Sequence, residues 1–173
     1  LEALKLNADI VIMLHPDGQY EPEAVHKFIH AVKKGNDIVL GSRFLSNPKR
    51  ALASGMPLYK FIANRCLTFF QNIIFGVKLS EWHTGYRAYN RKFLETVPFL
   101  RNSNDFVFDS EILAQAVYFK FKIGEISVKS RYFTEGSSIN FWVSSIYGVK
   151  TLMVLVKFLL SKAGFISFGI FRK

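Results

Sequence analysis

Cysteine is almost missing from this 173-residue chain, with Cys66 standing alone. A single thiol excludes a disulfide framework and a cysteine metal site, and in an apolar segment it reads as a buried residue of a protein from a reducing compartment. Acidic residues are scarce as well, 13 against 23 Lys and Arg, and from Gly136 to the end there are none. The resulting net charge of +10 is open to nucleic acid, a membrane or an anionic substrate, and composition alone does not separate them. Uncharged apolar runs stay short of the roughly 18 residues that a spanning helix needs. No signal peptide or internal repeat is recognisable. The chain starts at Leu1 rather than Met, and residues 1–8 read as the tail of a helix feeding a strand, so the expectation is a fragment that begins inside a fold. What is abundant is the material of a core: 50% hydrophobic and 21% charged residues are the proportions of a globular protein.

The most informative stretch is 9–20, an apolar run, Ile10 to Leu14, that stops at a turn carrying His15 and Asp17. Such a run suits a parallel strand buried on both faces. An acidic group delivered to the C-terminal edge of a sheet lies where open α/β folds bind ligands. Next comes a helix, with Pro22 in the first turn, Val25, Phe28, Ile29 and Val32 at i, i+3, i+4 and i+7, and Gly35 at its C-terminal end. Ile38, Val39 and Leu40 predict a second strand ending in Gly41-Ser42-Arg43. Strand, turn, helix and strand make the βαβ pattern of a parallel sheet.

Further along, Pro57 to Phe75 predicts a long helix with Asn64, Thr68, Gln71 and Asn72 in one polar stripe and Gly76 closing it. Residues 46–56 read as a mobile basic loop placed to close over an anionic ligand beside Asp17. Asp109 to Phe119 predicts another helix, opened by Asp105 or Asp109, and 121–132 alternates as a strand. Asp109 and Glu111, at i and i+2, cannot share one helix face, so one is expected to cap, more naturally Asp109, and the other to point into the cleft. His26 and His30 have a metal-like spacing but no third ligand.

Toward the C-terminus, Ile139, Trp142, Val143, Ile146, Val149, Leu152, Met153, Val156, Leu159 and Leu160 recur at helical spacing, with Lys150 and Lys157 on another face. This basic amphipathic pattern suits a helix lying in the interface of an anionic membrane better than one crossing it. The plainer reading is a helix packed on its own domain. Two domain-level segments follow, 1–135 for the catalytic part and 136–173 for the interfacial helix region.

The series His-Pro-Asp-Gly-Gln-Tyr (15–20), Gly-Ser-Arg-Phe (41–44), Gly-Met-Pro (55–57), Ser-Glu-Trp-His-Thr-Gly-Tyr-Arg-Ala-Tyr (80–89) and Phe-Val-Phe-Asp-Ser-Glu-Ile (106–112) resembles the family 2 inverting glycosyltransferases, in the branch of dolichyl- and polyprenyl-phosphate sugar synthases. The resemblance implies part of a GT-A, Rossmann-like α/β fold with a mixed sheet, the nucleotide-binding N-terminal half being absent. It also implies hexose transfer from a nucleotide-sugar donor to a lipid-phosphate acceptor at the cytoplasmic face of a membrane. In this family an Asp-x-Asp turn holds Mg²⁺ or Mn²⁺ on the donor diphosphate. Asp17 matches its second aspartate, while His15 replaces the first, a ligand suited to Mn²⁺ more than Mg²⁺.

By the same resemblance Gln19 neighbours the diphosphate or sugar, and Arg43 and Arg87 fork onto phosphate as lysine cannot. Glu81 takes the place of an aspartate sometimes assigned as base. A lipid phosphate needs little deprotonation, its second pKa being about 6, which leaves Glu81 to orient the acceptor or complete the metal shell. His83, Asp109 and Glu111 join the substrate side. Competing readings are a J-domain, whose His-Pro-Asp tripeptide belongs between two helices rather than after a strand, and a nucleic-acid binder, for which no recognition motif is present. A third is a catalytically silent relative acting as a membrane- or partner-binding module.

Overall fold

The computed structural model describes residues 1–132 and 141–172; Gly136 and Ile139 from the sequence reading lie outside them. After a short helix α1 (Glu2–Lys5), the first apolar run forms strand β1 (Ile10–Met13). A 3-10 turn at Pro22–Ala24 leads into α2 (Val25–Lys33), then come β2 (Ile38–Ser42), the short α3 (Lys49–Ala53) and the long α4 (Leu58–Phe75). Strand β3 (Arg87–Asn90), α5 (Arg91–Thr96), α6 (Phe108–Tyr118), β4 (Ile123–Ser127) and α7 (Phe141–Lys162) complete the regular elements.

The sheet runs β1-β3-β2-β4. β3 lies antiparallel between β1 and β2, while β2 and β4 are parallel. The βαβ reading is right in direction, since β1 and β2 both oppose β3, but a strand is inserted between them. β1 is therefore an edge strand and only half-buried, not the doubly covered strand its apolar run predicts. β2 is the fully buried one.

Alternation along β2 divides the core. Ile38 and Leu40 face a cluster with Trp82, Phe93, Ile112, Leu113 and Phe158, whereas Val39 faces Phe28, Tyr86, Ala88 and Val128 under α2. Strand residues pointing alternately to two covered faces are what a central strand requires. α2 and α4 end as their sequences indicate, with Gly35 and Gly76 at φ +92° and +68°, a left-handed turn that side-chain-bearing residues resist.

α4 reverses the usual arrangement. Its polar stripe is the inner face, with Asn64, Thr68 and Gln71 buried, while Leu58, Ile62, Phe69, Phe70 and Ile73 are exposed. Cys66 shares that outward face and is exposed, which corrects its reading as a buried residue. α7 is apolar on both sides. Val154, Leu155 and Phe158 enter the core, and Trp142, Ile146, Val149, Met153 and Val156 face outward, the stripe picked out by its spacing. By length and composition Trp142–Lys162 would also suffice to cross a membrane. Here one side of its C-terminal half, Val154, Leu155 and Phe158, enters the core, and the following segment returns to bury Ile170 and Phe171 beside Phe158.

Residues 46–56 are not a loose loop. α3 occupies their middle, and Ala51 and Met56 pack with Phe44 in a third cluster against Phe61 and Tyr132.

Candidate functional site

The C-terminal ends of β1 and β2 and the start of β3 meet at one sheet edge, since Met13 and Leu40 both pair with Arg87. The turn after β1 brings His15, Asp17 and Gln19 there, the end of β2 brings Arg43, and the segment before β3 brings Glu81 and His83. The sequence-derived residues thus converge, although several do different work from that expected.

Asp17 is half-buried, and its Oδ1 accepts the Gln19 N–H at 3.0 Å, an Asx turn that fixes the loop. Gln19 in turn gives its carbonyl to the Arg131 N–H at 2.9 Å. His15 is exposed and lies across Gly85: a Cβ there would stand 2.5 Å from His15 Nε2. Glycine at 85 is the condition for that approach, and it leaves Nδ1 as the ring nitrogen turned from the Gly85 backbone.

Among the described residues no three His, Cys, Asp or Glu side chains gather to hold a metal. His26 and His30 are both exposed on α2. A single aspartate with a neighbouring imidazole still suits Mg²⁺ or Mn²⁺ of the kind bound through one or two carboxylates with most other positions filled by phosphate and water. The donor set fits a metal completed by its substrate.

Arg43 and Glu81 form the electrostatic centre. Arg43 donates through Nε at 2.8 Å and through Nη2 to Glu81 Oε1, and its backbone N–H reaches Oε2 at 2.8 Å. Asn64 Nδ2 adds a fourth bond to Glu81 at 3.0 Å. Arg43 Nη2 also donates to the His83 carbonyl at 2.8 Å, and Nη1 to the Tyr132 hydroxyl. Burial opposes the Arg43 charge, yet Glu81 holds its pKa well above the usual guanidinium value. Of five guanidinium hydrogens, one on Nη1 has no partner among the described residues. Glu81 is fully buried with its oxygens turned to Arg43 and Asn64, an arrangement suited to positioning Arg43 rather than to taking a proton from a substrate.

Arg87 departs from its expected role. It is fully buried and donates to the carbonyls of Thr84 (2.6 Å), Asp109 (3.0 Å) and Trp82 (3.3 Å), with its ion pair to Asp109 at 3.2 Å. It braces the 80–87 segment from within instead of gripping phosphate. Asp109 does not cap α6. That start is tied by Asp105, whose Oδ1 accepts the Val107 N–H at 2.9 Å. Glu111 is buried and accepts the Ser103 N–H at 2.6 Å, so it holds the preceding loop rather than pointing into the cleft.

Several contributors escaped the sequence reading. Lys60, Tyr132, Ser144 and Tyr147 join Arg43, Asn64 and His83, which the sequence reading had named, in lining a cavity of about 230 Å³ between α4 and α7. Burial, then the Arg43 charge, lowers the Lys60 pKa. Burial pushes the Tyr132 phenol up to about 12, so it stays a neutral hydrogen-bonding group. Polar residues placed every third or fourth position inside an otherwise apolar α4 were the available signal. Glu125 had none: from β4 its carboxylate accepts the N–H groups of Ser80 (2.8 Å) and Glu81 (3.1 Å) and the Ser80 hydroxyl (2.7 Å).

Burial raises the Glu125 pKa above its usual 4.5. A raised folded-state pKa means that the native protein binds the extra proton, so this stability is present below pH 4.5 and is lost as pH rises through the shifted value. Glu125→Gln cannot titrate. Urea melts from pH 4 to 7 are expected to show the variant gaining on the wild type as pH rises, and parallel curves would remove Glu125 as the cause.

The description of glycosyl transferase family 2 matches residues 3–97. A UDP-N-acetylglucosamine–dolichyl-phosphate N-acetylglucosaminyltransferase of Methanococcus voltae is 30% identical over 132 residues, 76% of this chain and 51% of that protein. Polyprenol monophosphomannose synthase of Mycolicibacterium smegmatis is 23% identical over 126 residues, 72% of this chain and 46% of that protein. The chain spans about half the length of these curated relatives. The crystal structure of glucosyl-3-phosphoglycerate synthase from Mycobacterium tuberculosis superposes with a TM-score of 0.58 over 93% of this chain and 52% of that one. At 13% identity that likeness speaks for the fold, an α/β GT-A arrangement with a mixed sheet. With its matched segment covering the Asp17 turn, Arg43 and the 80–87 segment, this chain belongs to glycosyl transferase family 2.

Proposed function

We propose that the protein carrying this chain transfers a hexose from a nucleotide sugar to a polyprenyl phosphate, with inversion, at the cytoplasmic face of a membrane. The observation that carries the proposal is the cavity between α4 and α7. Its interior presents Lys60 and the Arg43 guanidinium, while the outer faces of both helices are apolar. A phosphate head with a long hydrocarbon tail is the ligand whose two ends match these two surfaces. The names of the relatives, one acting on dolichyl phosphate and one making a polyprenol monophosphate mannose, agree with that chemistry.

The chain's own residues bind and orient. Lys60, which has no ion pair among the described residues, supplies the uncompensated positive charge for the acceptor phosphate. Arg43, held by Glu81 and Asn64, presents its remaining Nη1 hydrogen beside the Tyr132 hydroxyl. The acceptor is an anion already, so attack on the anomeric carbon requires positioning more than a base, which accords with a Glu81 committed to Arg43. Asp17, with His15 at its side, would hold Mg²⁺ or Mn²⁺, and Gln19 stands next to it for the donor. When bound, the metal supplies charge neutralisation for the departing diphosphate.

The decisive experiment assays the full-length protein against a panel of nucleotide sugars, with and without Mn²⁺ and polyprenyl phosphate. Divalent- and acceptor-dependent transfer is expected; its absence across the panel overturns the proposal.

Membrane attachment follows from the same faces. Trp142, Ile146, Val149 and Met153 of α7 and Ile62, Phe69 and Ile73 of α4 form the outward apolar surface, with basic Arg65 and Lys157 on the same helices. Ile62→Asp combined with Phe69→Asp is expected to weaken co-sedimentation with anionic vesicles by about tenfold or more, since each buried side chain contributes about 1.5–3 kcal/mol. Unchanged sedimentation would assign α4 no part in docking.

A further inference from the structure

The cavity that receives the lipid phosphate in this reading also has, in its wall, a buried polar atom without a partner. His83 lines it beside Arg43 and Tyr147. Its imidazole stands edge-on to the Tyr147 ring, centroids 5.6 Å and planes 84° apart, with Nδ1 2.7 Å from the Tyr147 hydroxyl. The same hydroxyl is 3.2 Å from Ser110 Oγ, itself 3.3 Å from Thr151 Oγ1. When Ser110 donates to Tyr147 and Tyr147 donates to Nδ1, the ring proton resides on Nε2. That Nε2 is shielded from solvent and has no hydrogen-bond partner among the described residues.

A buried donor left unmet is costly, and one kept at the wall of a ligand cavity is explained most simply by a partner that arrives with the ligand. The ring is also neutral. Burial, aided by the charges of Arg87 and Arg43, lowers its pKa to about 3, so it adds no cation to a site that already has Arg43 and Lys60. A neutral N–H offers direction rather than charge.

We propose that His83 is a specificity-determining residue of the acceptor cavity, its Nε2–H donating to an oxygen of the bound phosphate monoester while Tyr147, from α7, fixes the tautomer. The inference rests on reading this cavity as the lipid-phosphate site. A ligand without an acceptor atom at that point leaves the N–H unmet, which is how a buried polar group discriminates.

Two substitutions separate the ring's two nitrogens. His83→Asn keeps an amide where Nδ1 faces Tyr147 and has nothing at the Nε2 position, whereas His83→Gln reaches the Nε2 position and gives up Tyr147. In the full-length protein, His83→Asn is expected to raise the KM for polyprenyl phosphate by about tenfold, the scale of one hydrogen bond to a charged group. The donor KM and the melting temperature stay unchanged, and His83→Gln recovers most of the loss. Titration calorimetry with a short-chain prenyl phosphate, free of any transfer step, is expected to show the same ranking in Kd. An unchanged acceptor KM and Kd in His83→Asn overturns the proposal, as does an equal loss in both variants accompanied by a lower melting temperature. If wild-type protein binds the prenyl phosphate with this ranking but transfers no sugar, the transferase reading fails and the assignment of His83 stands. If it binds none, both fail.

Discussion

Replacing Arg43 by Ala is expected to destabilise the fold by about 3–5 kcal/mol, the cost of leaving a buried carboxylate without its partner. Glu81 has no exposure and Arg43 only 11%, so water cannot take over the lost bonds. Beside Glu81, Asn64 alone among the uncharged side chains would remain. In the proposed function the same substitution also removes a phosphate contact, so loss of activity by itself would be uninformative. The double variant Arg43→Met with Glu81→Gln resolves this, since replacing both members of a buried pair is often neutral for stability. Urea melts are expected to return close to wild type while prenyl-phosphate binding stays lost. If binding returns along with stability, Arg43 is scaffolding and the acceptor is held elsewhere.

Asp17→Asn is the second large effect. Asparagine keeps the Oδ1 that accepts the Gln19 N–H, so the turn and the melting temperature are expected to hold. What disappears is the carboxylate charge proposed to hold the metal on the donor, and Lewis-acid stabilisation of a phosphate leaving group amounts to several kcal/mol. Titration calorimetry of a nucleotide diphosphate is expected to lose its Mn²⁺ dependence, with a fall in affinity of about 100-fold or more. Retained Mn²⁺ dependence would take Asp17 out of the site. Gly85→Ala offers a milder companion, because the added methyl must displace the His15 ring. If His15 is a ligand, that change weakens Mn²⁺ affinity as well.

Local pattern was legible wherever the physics is local. The run Ile10–Met13, the helices α2, α4 and α6, and the closing glycines Gly35 and Gly76 follow from periodicity and from backbone conformations that few residues accept. Asp17 reaches a sheet edge because a short strand ends there, again a local matter. Arg87 shows where such reasoning stops. The resemblance makes Arg87 a phosphate ligand, but β3 runs between β1 and β2 and carries it inward, where backbone carbonyls of its own segment and Asp109 take its donors.

Sequence alone therefore determined the α/β class, the order of β1, α2, β2, α4, α6 and β4, the turn that presents Asp17 and the cationic balance that suits an anionic partner. Tertiary structure decided which strand is central and which is an edge, which arginine stays beside a cavity, and that the polar stripe of α4 faces inward. The reason is physical. Periodicity tells a helix to have two faces, but which face is buried depends on what stands opposite, and opposite α4 stand Glu81 and the Leu79–Trp82 backbone, whose polar groups bond to Asn64, Thr68 and Asn72.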